Sequence, residues 1–204
     1  MTPRIVLRSG WLLGIFGAIV IALVSLAYQG TRAPIERSEY QALLKALNSV
    51  IPEKQYDNDL VNDSYPLKAT EELGLKKDAL LYRGRIGDTL TAVAFPVVAP
   101  DGYNGPIDML MAVNLHGEIL GVRVTSHNET PGLGDRIESR RSNWVDQFRG
   151  ASLENPEPKR WAVKKDGGVF DQFTGATITP RIIVKAVHRA MLYVKSHPEV
   201  FFNE

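Results

Sequence analysis

The apolar positions of this chain fall into three kinds of pattern, and each predicts a different element. From Ser9 to Thr31 there is no charged residue, and Trp11 to Tyr28 (WLLGIFGAIVIALVSLAY) is almost wholly apolar. A helix rising about 1.5 Å per residue covers the about 30 Å of a bilayer core with about 20 such residues, so the stretch predicts a transmembrane helix. Trp11 and Tyr28 sit at its ends, where amphipathic rings prefer the headgroup level. In Pro34 to Ile51, Tyr40, Leu43, Leu44 and Leu47 follow the i, i+3, i+4, i+7 spacing of an amphipathic helix, which Pro52 ends.

After a polar, turn-rich connection the period changes to two. ALLYRGRIG and TLTAVAFPVVA are strand-like, and PDGYNGP (Pro100 to Pro106) predicts a tight loop. Ile107, Met109, Met111, Val113 and Leu115 alternate, and with EILGVRVTSH they predict a hairpin around His116-Gly117. RWAVKKDGGVFDQF predicts a second hairpin around Asp166-Gly167-Gly168. A short helix between the hairpins is expected to turn Ile137, Trp144, Val145 and Phe148 inward. A final helix begins at Pro180, with Ile182, Ile183, Ala186, Val187, Ala190 and Val194 as its buried stripe. The expected fold is α+β: a mostly antiparallel sheet with flanking helices, preceded by one transmembrane helix. It divides into an anchor (1–32), a membrane-proximal helix and linker (33–66) and a folded domain (67–204).

Charge orients this plan. Arg4 and Arg8 precede the span, and no acid appears before Glu36. By the positive-inside rule the N-terminus is cytoplasmic and the rest lies across the membrane. A cleaved leader ending near Ser25-Leu26-Ala27 is the competing reading. Of 24 Lys+Arg, three (Arg4, Arg8, Arg32) precede Ala33, which leaves 21 against 23 Asp+Glu, a net of −2. A near-neutral domain without a basic block argues against nucleic acid as a partner. The chain has no cysteine, which excludes disulfides, thiolate-held iron–sulfur clusters and haem attachment through CxxCH. His116, His127, His188 and His197 show no metal-ligand spacing, so no metal is expected. If the protein moves electrons, an organic cofactor carries them.

The candidate chemistry lies in DQFTGATITP, Asp171 to Pro180. With Pro180 first in the helix, Thr179 becomes the N-cap and its hydroxyl is engaged by the helix amides. Thr177 then stands outside the helix, beside an N-terminus that favours anions, phosphate above all. Gly175 permits a close backbone approach, and Ala176 adds no bulk. Capping chemistry alone leaves two readings open, an ordinary helix start or a hydroxyl exposed for modification.

DQFTGAT resembles the Asp-x-x-Ser/Thr-Gly-Ala-Thr motif of covalently flavinylated proteins, and SHNETPGLGDRI and DGYNGP are similar to the FMN-binding domain family. With the single span, the length and the absence of cysteine, the chain resembles the G subunit of the Rnf-type ion-translocating electron transport complex, a relative of the C subunit of the sodium-translocating NADH:quinone reductase. The resemblance implies one covalent FMN per chain, attached through its phosphate to Thr177 by a flavin transferase during maturation. Asp171, Thr174, Gly175 and Ala176 are the remaining motif positions. Glu129, Thr130, Gly132 and Leu133 are implied as walls of the flavin site, with Tyr103 and Lys164 or Lys165 as further candidates; a turn tyrosine and solvated lysines are the plainer reading of those three. The implied role is electron carriage, without independent turnover, beside other membrane subunits in a bacterial inner membrane, with the C-terminal domain periplasmic. A noncovalent FMN- or ligand-binding membrane-anchored sensor and a purely structural subunit are the alternatives.

Overall fold

The computed structural model describes residues 3–202, with the side chains of all of these except 3–9, 27, 29, 30, 32 and 33. Arg4, Arg8 and Arg32, which enter the expected orientation, fall outside the described side chains. Two compact units are present, Met1–Leu43 and Leu44–Glu204.

The first unit lies within helix α1 (Pro3–Val50), which runs unbroken through Pro34. Its described apolar side chains face outward in every direction: Leu12, Leu13, Phe16, Ile19, Leu23, Val24 and Leu26 are all exposed. Among the described residues no helix is long and apolar enough to cross a membrane. The unbroken run of described side chains, Gly10 to Leu26, is 17 residues, about 25 Å of helix.

The second unit is α+β, as expected. Strands β1 (Ser64–Leu67), β2 (Ala79–Ile86), β3 (Thr89–Ala99), β4 (Ile107–Asn114) and β5 (Ile119–Ser126) form an antiparallel meander in chain order. Helices α2 (Ile178–Ser196) and α3 (Pro198–Phe202) follow. The period-two pattern is realised on β4. Ile107, Met109, Met111 and Val113 enter the main core with Val93, Phe95 and Val97 of β3, whereas Leu115 lies beyond the strand and is exposed. Ile183, Val184, Ala186, Val187, Ala190, Met191 and Val194 of α2 enter the same core, and Phe201 of α3 meets Phe95 edge-on at 4.8 Å.

The other sheet face is built from small residues. Ala94, Ala112 and Gly121 are register partners across β3, β4 and β5. A Cβ on Gly121 would lie 2.8 Å from Val50 Cα, so the end of α1 seats directly on backbone there. Leu47, Val50, Ile51 and Leu60 are buried outside the main core.

Three local expectations are corrected. The short helix between the hairpins is two separate 3₁₀ turns, Gly134–Ile137 and Trp144–Phe148, although the four expected side chains are buried. RWAVKKDGGVFDQF forms no hairpin. It carries 3₁₀ turns at Pro158–Arg160 and Lys164–Asp166 and an isolated bridge between Val163 and Phe170. Its apolar alternation feeds an aromatic cluster instead, in which Phe170 lies 4.8 Å from Phe148 and 5.1 Å from Trp161. The final helix starts at Ile178, two residues before Pro180, and Thr177 is its N-cap.

Candidate functional site

The Asp171–Thr179 segment is held from below and shaped by its own turn. Asp171 N–H donates to Gln147 Oε1 (2.7 Å), and Trp144 Nε1 donates to the Asp171 carbonyl (2.7 Å). The Phe173 ring is buried, 5.5 Å from Trp144 and beneath the Arg136 guanidinium at 5.0 Å. Ala176 N–H closes back on the Phe173 carbonyl (3.2 Å), and Gly175 occupies φ +85° at the third position of that turn. That conformation suits glycine because it carries no Cβ.

The turn delivers Thr177 to the start of α2 in helical conformation (φ −82°, ψ −26°). Its carbonyl accepts from Arg181 N–H, while its hydroxyl makes no capping hydrogen bond. Pro180 falls within the first turn, where a missing N–H costs nothing. Thr179 is not the cap. It is buried to 1% exposure, and its hydroxyl donates to Glu129 Oε2.

Glu129, 5% exposed, is the hub of the opposite wall. Its Oε1 accepts from Asn104 N–H (3.1 Å), and its own N–H donates to His127 Nδ1 (3.0 Å). His127 Nε2 faces Glu138 Oε1 at 3.0 Å. Asn104 Nδ2 donates to Thr130 Oγ1 (3.1 Å), which ties the DGYNGP loop to the ETPGLG loop. The Thr130 carbonyl accepts from Leu133 and Gly134 N–H (3.1 Å each), and Gly132 N–H donates to buried Asp135 (2.8 Å). A Cβ on Gly134 would lie 2.7 Å from Glu129 Oε2 and 3.0 Å from Glu129 Cβ, so any side chain there would displace the carboxylate.

These walls enclose a cleft of about 620 Å³, lined by Tyr103, Glu129, Thr130, Leu133, Gly134, Lys165, Gly175, Ala176, Thr177, Ile178 and Thr179. Small-molecule sites run roughly 300–1,000 Å³. Tyr103, Leu133 and Ile178 are 64%, 45% and 44% exposed and offer apolar surface at the cleft. Of the residues singled out in the sequence, Tyr103, Glu129, Thr130, Leu133, Gly175, Ala176 and Thr177 meet here. Gly132, Asp171, Thr174 and Lys164 do not line it. Lys164 pairs with Asp171 (2.5 Å), and its neighbour Lys165 is the cation at the cleft. Arg181 is taken up by Asp166 in two contacts of 2.6 and 2.9 Å, and that ion pair depresses the Asp166 carboxyl below its ordinary range. Asn104, Trp144, Gly134 and Ile178 also build the site. Asn104 and Gly134 stand in the two loop motifs and Trp144 reads as an inward aromatic, but nothing local in the sequence marks Ile178.

The donor set suits a flat, partly apolar molecule with an anionic end. Apolar side chains flank the opening, and the α2 N-terminus with Lys165 supplies positive character. Thr177 offers a hydroxyl not bound as a cap. These features define a site for a flat molecule with an anionic group, and residues 102–192 match the FMN-binding domain family. Residues 1–50 match the RnfG N-terminal region. Along nearly its whole length the chain is similar to the G subunit of the ion-translocating oxidoreductase complex of Shewanella loihica (43% identity, covering 98% of this chain and 94% of the relative). The same subunit of Aliivibrio fischeri is 45% identical (94% and 91% covered), and that of Pseudomonas aeruginosa 46% (97% and 92%). The chain belongs to the family of G subunits of ion-translocating oxidoreductase complexes.

Proposed function

We propose that this protein is a membrane-anchored flavoprotein that carries electrons within an Rnf-type ion-translocating oxidoreductase complex, with one FMN esterified to Thr177. The observation that carries the reading is Thr177, which lines the cleft at the N-terminus of α2 with a hydroxyl that makes no capping bond. FMN, when bound, supplies reversible electron transfer at its ring system; the protein sets its position and electrostatic surroundings. Thr177 is the tether. The first-turn amides of α2 have no helical acceptor and favour the phosphate, and Lys165 adds a counter-charge. Leu133 and Tyr103 would offer apolar surface to the ring, and Gly175 keeps the tethering turn free of bulk. Asp171, Thr174, Gly175 and Ala176 are read by the flavin transferase during maturation. A cofactor held by a bond is not lost when the domain faces the periplasm.

Trp11 to Tyr28 forms the inner-membrane anchor, with the N-terminus cytoplasmic and the C-terminal domain periplasmic. The all-round exposure of Leu12, Leu13, Phe16, Ile19 and Leu23 supports this, since a helix apolar on every side calls for an apolar solvent. Other membrane subunits of the complex are its partners.

The test is full-length protein co-expressed with a flavin transferase, denatured and run on a gel under ultraviolet light. A fluorescent band whose native flavin absorbance bleaches on reduction is expected. Flavin that dissociates on denaturation would replace the covalent reading with a noncovalent one, and protein without flavin would leave a structural subunit.

A further inference from the structure

The cleft contains a buried carboxylate, Glu129, that forms no ion pair among the described residues. Glu129 is enclosed to 5% exposure, and its side-chain oxygens accept one N–H, from Asn104, and one O–H, from Thr179. Burying an ionised carboxylate is costly unless hydrogen bonds replace its water, so the position asks for a reason. Its contacts supply one. Asn104 belongs to the loop between β3 and β4, Glu129 to the loop after β5, and Thr179 to the first turn of α2, two residues from Thr177. These three segments, far apart in the chain, make the walls of one cleft.

We infer that Glu129 and Thr179 act together as a positioning latch, which fixes the first turn of α2 against the two loops and so sets where the Thr177 hydroxyl stands relative to Leu133 and Tyr103. This rests on the reading of the cleft as the FMN site. His127 supports the latch. Its Nδ1 accepts the Glu129 N–H and its Nε2 is turned to Glu138, so the ring holds the Glu129 backbone from outside the cleft. Gly134 makes room for the carboxylate, since a Cβ there would lie within 2.7 Å of Oε2 and 3.1 Å of Thr179 Oγ1. The latch also removes Thr179 as an attachment site, because its hydroxyl is already donated inward.

The experiment compares Thr179→Val, Thr179→Ser, Glu129→Gln and the double variant Thr179→Val/Glu129→Gln in full-length protein. Two readouts are used: amide hydrogen exchange in flavin-free protein, and fluorescence anisotropy of the flavin after co-expression with the transferase. Thr179→Val keeps the shape and loses the hydroxyl; it should speed exchange at Asn104 and in the first turn of α2 about tenfold. It should also lower flavin anisotropy, with thermal melting moved by only a few degrees. Thr179→Ser should restore both readouts, and the double variant should be no worse than the more severe single one. Wild-type exchange at Asn104 and α2 in Thr179→Val, or additive losses in the double variant, would overturn the latch. A wild-type protein that carries no flavin, with exchange still accelerated in Thr179→Val, would sink the flavin reading of the cleft and leave the latch standing as loop positioning alone.

Discussion

The indole of Trp144 donates a 2.7 Å hydrogen bond to the backbone carbonyl of Asp171, 27 residues further along the chain. This bond joins a 3₁₀ turn on the sheet side to the first residue of the flavinylation-like motif. Trp144 also packs edge-on against Phe148 at 5.6 Å and against Phe173 at 5.5 Å. One side chain therefore anchors the motif by both its polar and its apolar parts. Trp144→Phe keeps most of the packing and removes the donor. A part-buried hydrogen bond is worth about 0.5–1.5 kcal/mol net. The expected result is a stability loss of that order in a urea titration, with reduced flavin loading by the transferase.

Mass spectrometry tests the proposed attachment of FMN to Thr177. Thr177→Ala should abolish in-gel fluorescence while the domain keeps its circular dichroism. Thr174→Ala, in the exposed turn, should leave FMN on Thr177 even where loading slows. FMN found on Thr174 or Thr179 in tryptic peptides ending at Arg181 would reassign the site.

Gly134→Ala brings a methyl group within 2.7 Å of the Glu129 carboxylate and 3.0 Å of its Cβ. Overpacking of this kind typically costs about 1–3 kcal/mol. The variant should melt several degrees lower. Gly132→Ala, at φ +79° with open space around it, should lose stability through backbone strain alone, with the Glu129 contacts intact.

His188 gives the domain a pH dependence. Its ring stacks on Trp161 at 5.0 Å, and burial holds its pKa below the ordinary 6.5. The unfolded chain then takes up the proton more readily than the folded one. Stability is full above the unfolded value and falls as pH drops through about 6.5 toward the folded value. Denaturant titrations at pH 8 and pH 5.5 should show the decline, and His188→Phe should flatten that part of it.

Orientation in the membrane is tested by reporters. An enzyme active only outside the cytoplasm should work when fused after Glu204. Activity of a cytoplasm-only reporter at the same place, or a mature chain starting near Tyr28, would refute an uncleaved anchor with its domain outside.

Much of the sheet is legible in the sequence because burial on one face leaves a period of two, as Ile107, Met109, Met111 and Val113 show. The same signal misleads at Trp161, Val163 and Phe170. Their alternation serves an aromatic cluster, and apolar periodicity does not state whether backbone or ring contacts satisfy it. The start of α2 is misplaced by sequence reasoning for a related reason. Proline suits any position of a first turn, so Pro180 marks the turn and not its first residue. The candidate site is legible where residues stand in motifs, which is why Tyr103, Glu129, Thr130, Leu133 and Thr177 meet in one cleft. Thr179 reads as a cap in the sequence because capping is local. Its actual acceptor lies 50 residues away, where no spacing rule reaches. The choice of Lys165 over Lys164 likewise depends on a single ion pair, that of Lys164 with Asp171.

The chain-order meander has a consequence for assembly in time. Every strand pairs with its neighbour in sequence, so each step of sheet formation closes a short loop at small entropic cost. The bond from Thr179 to Glu129 closes a loop of 50 residues, at a larger entropic cost than any hairpin of the sheet. Topology of this kind favours early hairpins and late long-range closure. The sheet is thus expected to form ahead of the cleft, an order that pulse-labelled amide exchange during refolding would read. On that order the three threonines of DQFTGATIT become chemically distinct late in folding, when Thr179 is buried, Thr174 is left in a turn and Thr177 is presented at the cleft.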